Sequence, residues 1–250
     1  MVDAFDIMYP ERRFSGFSRG NITVLFYNLV GSLTSPDSVV VDLGAGRGAQ
    51  IEEAKTPYLK QMLTLQGRCA KLIGCDVDSA VLDNPYLDEA YVFDPAKPLP
   101  LETASVDLIY SDWVLEHVEN PEFLAAEVHR VLKPGGWFCA RTPNKWGMIS
   151  LAKAIIPESL HASVLARLQP TRKEVDIFPT HYRMNTKGKI REYFPESLWN
   201  NHSFVDGNDP GYFNRSLFLA RLSHFYNAVV PSPLGLILFV FVQKRTPGEI

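Results

Sequence analysis

Residues 39–48 read VVVDLGAGRG. A continuous apolar run of this kind marks a strand buried on both faces of a parallel sheet. The glycines that follow allow positive φ and close backbone approach, which a turn needs when it leaves a strand to hold a ligand. Two kinds of cofactor loop fit the same ten residues. Gly44, Gly46 and Ala49 satisfy the dinucleotide fingerprint G-x-G-x-x-G/A. Asp42, Gly44, Gly46 and Gly48 equally satisfy an acidic-x-G-x-G-x-G loop. The choice between them falls to the rest of the chain.

Working outward, KLIGCD (71–76), AYVFD (90–94), VDLIYS (106–111) and GWFCAR (136–141) are four further strand-like runs. A helix separates the last two. Asn120 suits its N-cap and Pro121 its first position, and Leu124, Val128, Val131 and Leu132 form one apolar face. KPGG (133–136) reads as the stop of that helix. Strands alternating with helices predict a doubly wound α/β sheet, whose ligands bind at the carboxyl ends of the strands. That places Asp42 to Gly48, Asp76, Asp94 and Ser111 around one crevice. Asp76 stands 30 residues beyond Gly46, further than the ≈20 of the dinucleotide fold, yet at the strand end where an acid grips ribose hydroxyls. Asp78 reads as a helix cap. Farther on, 199–213 is loop-rich with room for a short strand, a helix lies near 215–228, and LILFVFVQK (236–244) returns to the sheet.

The composition is that of an ordinary globular protein: 250 residues, 46% apolar, 21% charged. A net charge of −3 argues against a dedicated nucleic-acid binder. Cys69, Cys75 and Cys139 form no C-x-x-C pair, so neither a disulfide framework nor a cysteine zinc site is indicated, and a reduced cytoplasmic setting is expected. MVDAFDIMYPERRF at the start carries acids and no apolar core, unlike a secretory signal. The longest apolar run, LGLILFVFV (234–242), falls far short of the ~20 residues that span a bilayer. SLFLARLSHFYNAVVP (216–231), just before it, reads as an amphipathic helix, with peripheral contact at a membrane surface as its second reading.

Charge divides the chain unevenly. Between Arg141 and Arg191 ten Lys/Arg face three acids, a balance of +7 that leaves −10 for the remainder. This segment reads either as a solvated surface insertion or as a lid that draws an anionic substrate. The division expected is an N-terminal helical cap (1–38), a core (39–141), the basic lid (142–195) and a C-terminal completion of the sheet (196–250).

VVVDLGAGRG, LIGCDVDS, FDPAKPLPLETASVDLIYS, WVLEHVENP and EVHRVLKPGGWF occur in the order and spacing of the class I S-adenosylmethionine (SAM)-dependent methyltransferases. The chain resembles most the small-molecule, type 11 branch that includes quinone-biosynthesis enzymes, with the likeness concentrated in 39–141. The resemblance implies a Rossmann-like, mostly parallel seven-stranded sheet with an antiparallel last strand and an inserted helical lid after strand five. It implies SAM as cofactor and S-adenosylhomocysteine as product. Asp42 and the backbone of Gly44, Ala45 and Gly46 would hold the amino-acid half. Asp76 would meet the ribose hydroxyls, with Val77 beside it in the cofactor site, Asp94 the adenine, and Ser111 and Asp112 the methionine end. Pro95, where relatives often carry an amide donor to the ring, has no N–H.

Methyl transfer to a hydroxyl usually requires a base, and histidine suits neutral pH. His117 in LEHV and His181 in FPTHYRMNT are the candidates, with Tyr182 and Arg183 beside the latter suiting an anionic or hydroxylated acceptor. His129 reads as a surface residue of the 121–132 helix. A Glu-x-x-Glu-His metal cluster found in some relatives is incomplete here, since Trp113 replaces its first acid, and no metal is expected. The expected activity is methylation, most readily at oxygen, of a small-molecule or lipid- or glycan-linked acceptor. Two other readings stand beside it: a catalytically silent SAM-fold binding module and an NAD(P)-dependent oxidoreductase.

Overall fold

Val39–Leu43 forms β1 at the centre of the sheet, with Val40, Val41 and Leu43 buried. The computed structural model describes residues 3–148, 150–151, 179–207, 213 and 215–248. Residues 152–178, the middle of the expected lid, lie outside the described residues. β1 pairs in parallel with β2 (Lys71–Asp76) and β4 (Val106–Asp112), β2 with β3 (Glu89–Val92), and β4 with β5 (Leu132–Pro143). Beyond β5 the sheet reverses, because β8 (Ile237–Lys244) pairs with it antiparallel. β6 (Trp199–Asn201) and β7 (Phe204–Asp206) both line the far edge of β8.

Among the described residues the sheet therefore has eight strands rather than seven, in the order β3-β2-β1-β4-β5-β8-β6 with β7 also on β8. His202 and Ser203 divide what would be one edge strand into two. Even there the backbone is satisfied: His202 N–H donates to the Phe241 carbonyl, and Phe241 N–H donates to Ser203 Oγ. The antiparallel final strand is as expected.

Because side chains alternate along a strand, the same strands feed two cores. Val40, Leu72, Leu108 and Cys139 face α3 (Ile22–Ser32) and α5 (Pro57–Leu63). Val41, Ile73, Ile109 and Phe138 face α6 (Pro121–Val131) and Ile190 of α7 (Lys187–Tyr193). Asn120 caps α6 through a bond from Phe123 N–H, with Pro121 at the first position as the sequence suggests. His129, expected at the surface, is instead half-buried with its ring edge-on to Trp199 at 5.6 Å. Burial disfavours its charged form and lowers its pKa.

KPGG does not stand between helix and strand. β5 begins at Leu132, and the four residues form a bulge, so that Val106 pairs with Leu132 but Leu108 with Trp137. Gly135 sits at φ +80°, and a Cβ on Gly136 would lie 2.9 Å from the Lys133 carbonyl oxygen and 3.0 Å from that of Asp107. Only a glycine lets the strands close there.

A further small core joins the N-terminal residues to a helix late in the chain. Ala4, Phe5 and Tyr9, on and just after α1 (Ala4–Met8), pack against Ala220 of α8 (Leu217–Val229), and Tyr9 Oη meets His224 Nδ1 at 2.9 Å. α2 (Arg12–Ser15) links this unit toward α3, while Arg12 pairs with Asp3 and Asp6.

Candidate active site

The glycine loop between β1 and α4 (Ala49–Glu52) is built by neighbours on three sides. Gly44, Gly46 and Gly48 all take positive φ, at +86°, +48° and +76°. From β2, the Cys75 carbonyl accepts Gly44 N–H at 2.7 Å. Asp76 accepts Gly46 N–H at 2.8 Å on one oxygen and Asp78 N–H at 2.8 Å on the other. Asn84 donates to the carbonyls of Ala45 and Gly46, at 3.2 and 3.0 Å. Asp78 itself caps the short turn Ser79–Asp83 through Ala80 N–H.

The glycines differ in what they leave room for. A Cβ on Gly44 would collide with Val114 Cγ2, and one on Gly48 would lie 2.7 Å from Asn84 Oδ1. One on Gly46 would meet no heavy atom within 4 Å. Gly46 is thus not demanded by packing, and the space over it is open to a ligand. Gly46→Ala should cost only the left-handed strain of about 1–2 kcal/mol, yet weaken S-adenosylhomocysteine binding. Thermal melting and calorimetric titration on one preparation test this; unchanged affinity would refute close approach over the loop.

Three acids end adjacent strands. Asp42 on β1 is half-buried and accepts Tyr110 Oη at 2.8 Å. Burial raises its carboxyl pKa to about 7; the Tyr110 bond opposes the rise, and the charges of Asp112 and Asp76 add to it. Asp112, at the end of β4, does not offer a vacant carboxylate. Arg141 of β5 grips it at both oxygens, Nε to Oδ1 at 2.5 Å and Nη2 to Oδ2 at 2.8 Å. The same guanidinium donates to Thr23 Oγ1 of α3 at 2.7 Å and lies between the rings of Phe26 and Trp113, at 5.5 and 5.2 Å. Ser111 is fully buried and donates its hydroxyl to the Leu43 carbonyl, latching β4 to β1.

Asp94 follows β3, which Phe93 N–H ties to the Asp76 carbonyl. Its carboxylate is exposed and turned into its own bend, where the Ala96 N–H bond and the Lys97 ion pair hold its pKa below the usual value. Val77 stands exposed beside Asp76.

The two histidines come to one region. Residues 179–185 cross the short turn Leu115–His117, with His181 and Tyr182 N–H both donating to the Glu116 carbonyl. His117 Nδ1 lies 2.6 Å from the Pro179 carbonyl. A carbonyl can only accept, so Nδ1 is the donor in that bond. His181 is exposed, and Arg183 donates to the Glu119 carbonyl at 2.6 Å. Glu116 is buried, which raises its pKa, and it accepts Thr142 Oγ1 at 2.8 Å. It is therefore committed to the strand end. Among the described residues, no three His, Cys, Asp or Glu converge as a metal site.

Sequence reasoning missed Tyr110, Asn84 and Arg141. Only Arg141 carried a signal, as an arginine at the end of an apolar strand that had to find an anion.

Residues 41–140 match the family model of a methyltransferase domain. Across 119 residues the chain is 31% identical to a malonyl-[acyl-carrier protein] O-methyltransferase of Marinomonas sp. (strain MWYL1), an overlap of 46% of this chain and 42% of that protein. The methyltransferase in a Haloferax volcanii complex with the Trm112 methyltransferase activator superposes with a TM-score of 0.55 at 18% identity, over 98% of this chain and all of that one. A SAM-dependent methyltransferase of Mesorhizobium loti gives a TM-score of 0.52 at 18% identity, over 86% and 96% of the two chains. Residues 41–140 are thus similar to methyltransferase domains, and the chain shares its fold with SAM-dependent methyltransferases. It spans less than half the length of the curated relatives it matches. No described helix is long and apolar enough to cross a membrane.

Proposed function

We propose that the chain transfers the methyl group of SAM to an oxygen of a small-molecule or lipid- or glycan-linked acceptor. The observation that carries this reading is the set of acids at the ends of β1 and β2, beside an open glycine loop. The residues fit the group, since a cationic ligand finds Asp42 and Asp76 there and backbone space over Gly46. Bound SAM would supply a sulfonium-activated methyl group. Asp42 and the backbone at Gly44 to Gly46 would hold its amino-acid half, and Asp76 with Val77 its ribose. Asp94 would stand near the adenine.

Ser111 and Asp112 take a different part in this reading from the one the resemblance implied. With Ser111 bonded to Leu43 and Asp112 to Arg141, they position the methionine end of the site through the strands. His117 Nε2 would receive the acceptor hydroxyl proton, with Nδ1 oriented by Pro179. His181 is the second candidate. Oxygen is favoured because the Marinomonas relative is named an O-methyltransferase. The +7 balance of 141–191 and the neighbouring Arg183 favour an anionic acceptor.

Calorimetric titration with SAM and S-adenosylhomocysteine, followed by transfer of labelled methyl to a panel of hydroxyl and carboxyl acceptors, tests the reading. Failure of well-folded protein to bind either ligand would overturn it, and binding without transfer to any acceptor would favour a silent module. With an acceptor in hand, His117→Gln should lower kcat on the order of 10²-fold or more while leaving S-adenosylhomocysteine affinity unchanged. Unchanged kcat in both His117→Gln and His181→Gln would remove the histidine base.

A further inference from the structure

α8 is packed inside out. The side it turns to the protein carries Ala220 and Ser223, both buried, while Phe218, Leu222, Phe225 and Val229 stand exposed. Those four recur at i, i+4, i+7 and i+11, a single stripe on the outer surface. Phe218 is 74% and Phe225 63% exposed, and Leu219 widens the stripe. An apolar helix face of this size is covered by something when the protein works.

Charge indicates what covers it. From Arg215 to Val230 the segment holds two arginines, Arg215 and Arg221, and no acid. Arg221 is exposed near the middle of the helix, within the stripe's own surface. Two copies paired antiparallel along this face would bring their Arg221 side chains together, a like-charge contact that disfavours self-association. An anionic lipid surface has no such conflict: its headgroups take the arginines while the phenylalanines enter the acyl boundary, as in helices lying in the interface plane. The helix is also held firmly from behind, by Phe5 and Tyr9 of the N-terminal unit and by the Tyr9–His224 bond. A rigid mount keeps the stripe outward without the partner.

We propose that α8 is a peripheral membrane-docking element, which seats Phe218, Leu222, Phe225 and Val229 in the interface of an anionic bilayer with Arg221 on the headgroups. This does not depend on which acceptor is methylated or on where on that acceptor the methyl group goes.

The test is co-sedimentation of the full chain with phosphatidylcholine vesicles, with and without about one-third phosphatidylglycerol. The wild-type chain should pellet with the anionic vesicles and far less with the neutral ones, and high salt should weaken the binding. Phe218→Ser/Phe225→Ser should lower vesicle affinity tenfold or more, and Arg221→Glu should abolish the preference for phosphatidylglycerol. Both variants should keep the wild-type melting temperature and S-adenosylhomocysteine affinity, because the altered side chains are exposed. Absence of wild-type binding to either vesicle overturns the proposal, as does undiminished binding by the double variant. A wild-type dimer that the same substitutions dissociate, seen by light scattering, would assign the face to a second copy instead. A marked fall in melting temperature in the double variant would show that another part of the chain covers the stripe, and would overturn the proposal equally.

Discussion

Asp42→Asn should cost SAM binding on the order of 10- to 100-fold while leaving the fold at least as stable as wild type. The affinity loss follows from replacing a carboxylate by a neutral amide opposite a cationic ligand, a charged hydrogen bond of about 1.5–3 kcal/mol. The stability follows from the same burial that raises the group's pKa to about 7. The folded protein retains a proton that the unfolded chain, with a carboxyl near 3.8, has already released. This group's contribution to stability is therefore full at pH below 3.8 and lost as pH rises to 7. Asparagine removes that loss, and its oxygen still accepts the Tyr110 hydroxyl. Wild-type affinity for SAM should rise as pH passes through 7, and the variant's should not. Titrations between pH 6 and about 8, where the carboxyl changes state, together with melting curves, measure both. Equal affinity in the two proteins would remove Asp42 from the site.

Arg141→Met should be the most destabilising change, by about 3–5 kcal/mol, because it strands the Asp112 carboxylate in a buried position. Both side chains are almost wholly enclosed, and the guanidinium also holds Thr23 and lies against Phe26 and Trp113. For a chain of this size the melting temperature should fall by roughly 10 °C. Removing the stranded charge as well, in Asp112→Leu/Arg141→Met, should recover part of that loss, since a buried pair replaced by apolar groups is often close to neutral. If the double variant is no more stable than the single one, the geometry around Thr23 and Trp113 outweighs the charge. If Arg141→Met melts with the wild type, the pair is not a structural element.

What could be read in the sequence and what could not divide along physical lines. β1, β2, β4 and β5 are buried on both faces, so each leaves an unbroken apolar run, and the glycine loop follows from the end of the first. Positions of acids at strand ends were legible for the same reason. The direction of a side chain was not. Asp112 and Ser111 sit where the resemblance put them, yet their polar atoms are taken by Arg141 and Leu43, partners 29 and 68 residues away that only sheet pairing brings near. β6 and β7 are three residues each, too short for alternation to register. KPGG suits a helix stop and a bulge alike, because the positive φ of Gly135 serves both; the pairing of Leu132 with Val106 decides for the bulge. His129 lies on the outer side of an otherwise regular helix pattern, and Trp199, far along the chain, closes over it.

The pairing of β5 with β8 has a consequence for how the molecule comes into being. Pro143 meets Ile237 and Trp137 meets Gln243, partners about 100 residues apart, and contacts of such separation form late. During synthesis the first five strands can associate while residues 237–244 are still untranslated. Through that interval β5 presents an open strand edge next to Phe138, Cys139 and Ala140, the kind of edge that invites pairing with another chain. The nascent protein is thus most vulnerable to aggregation after its cofactor half has taken shape, and emergence of a single strand ends that exposure.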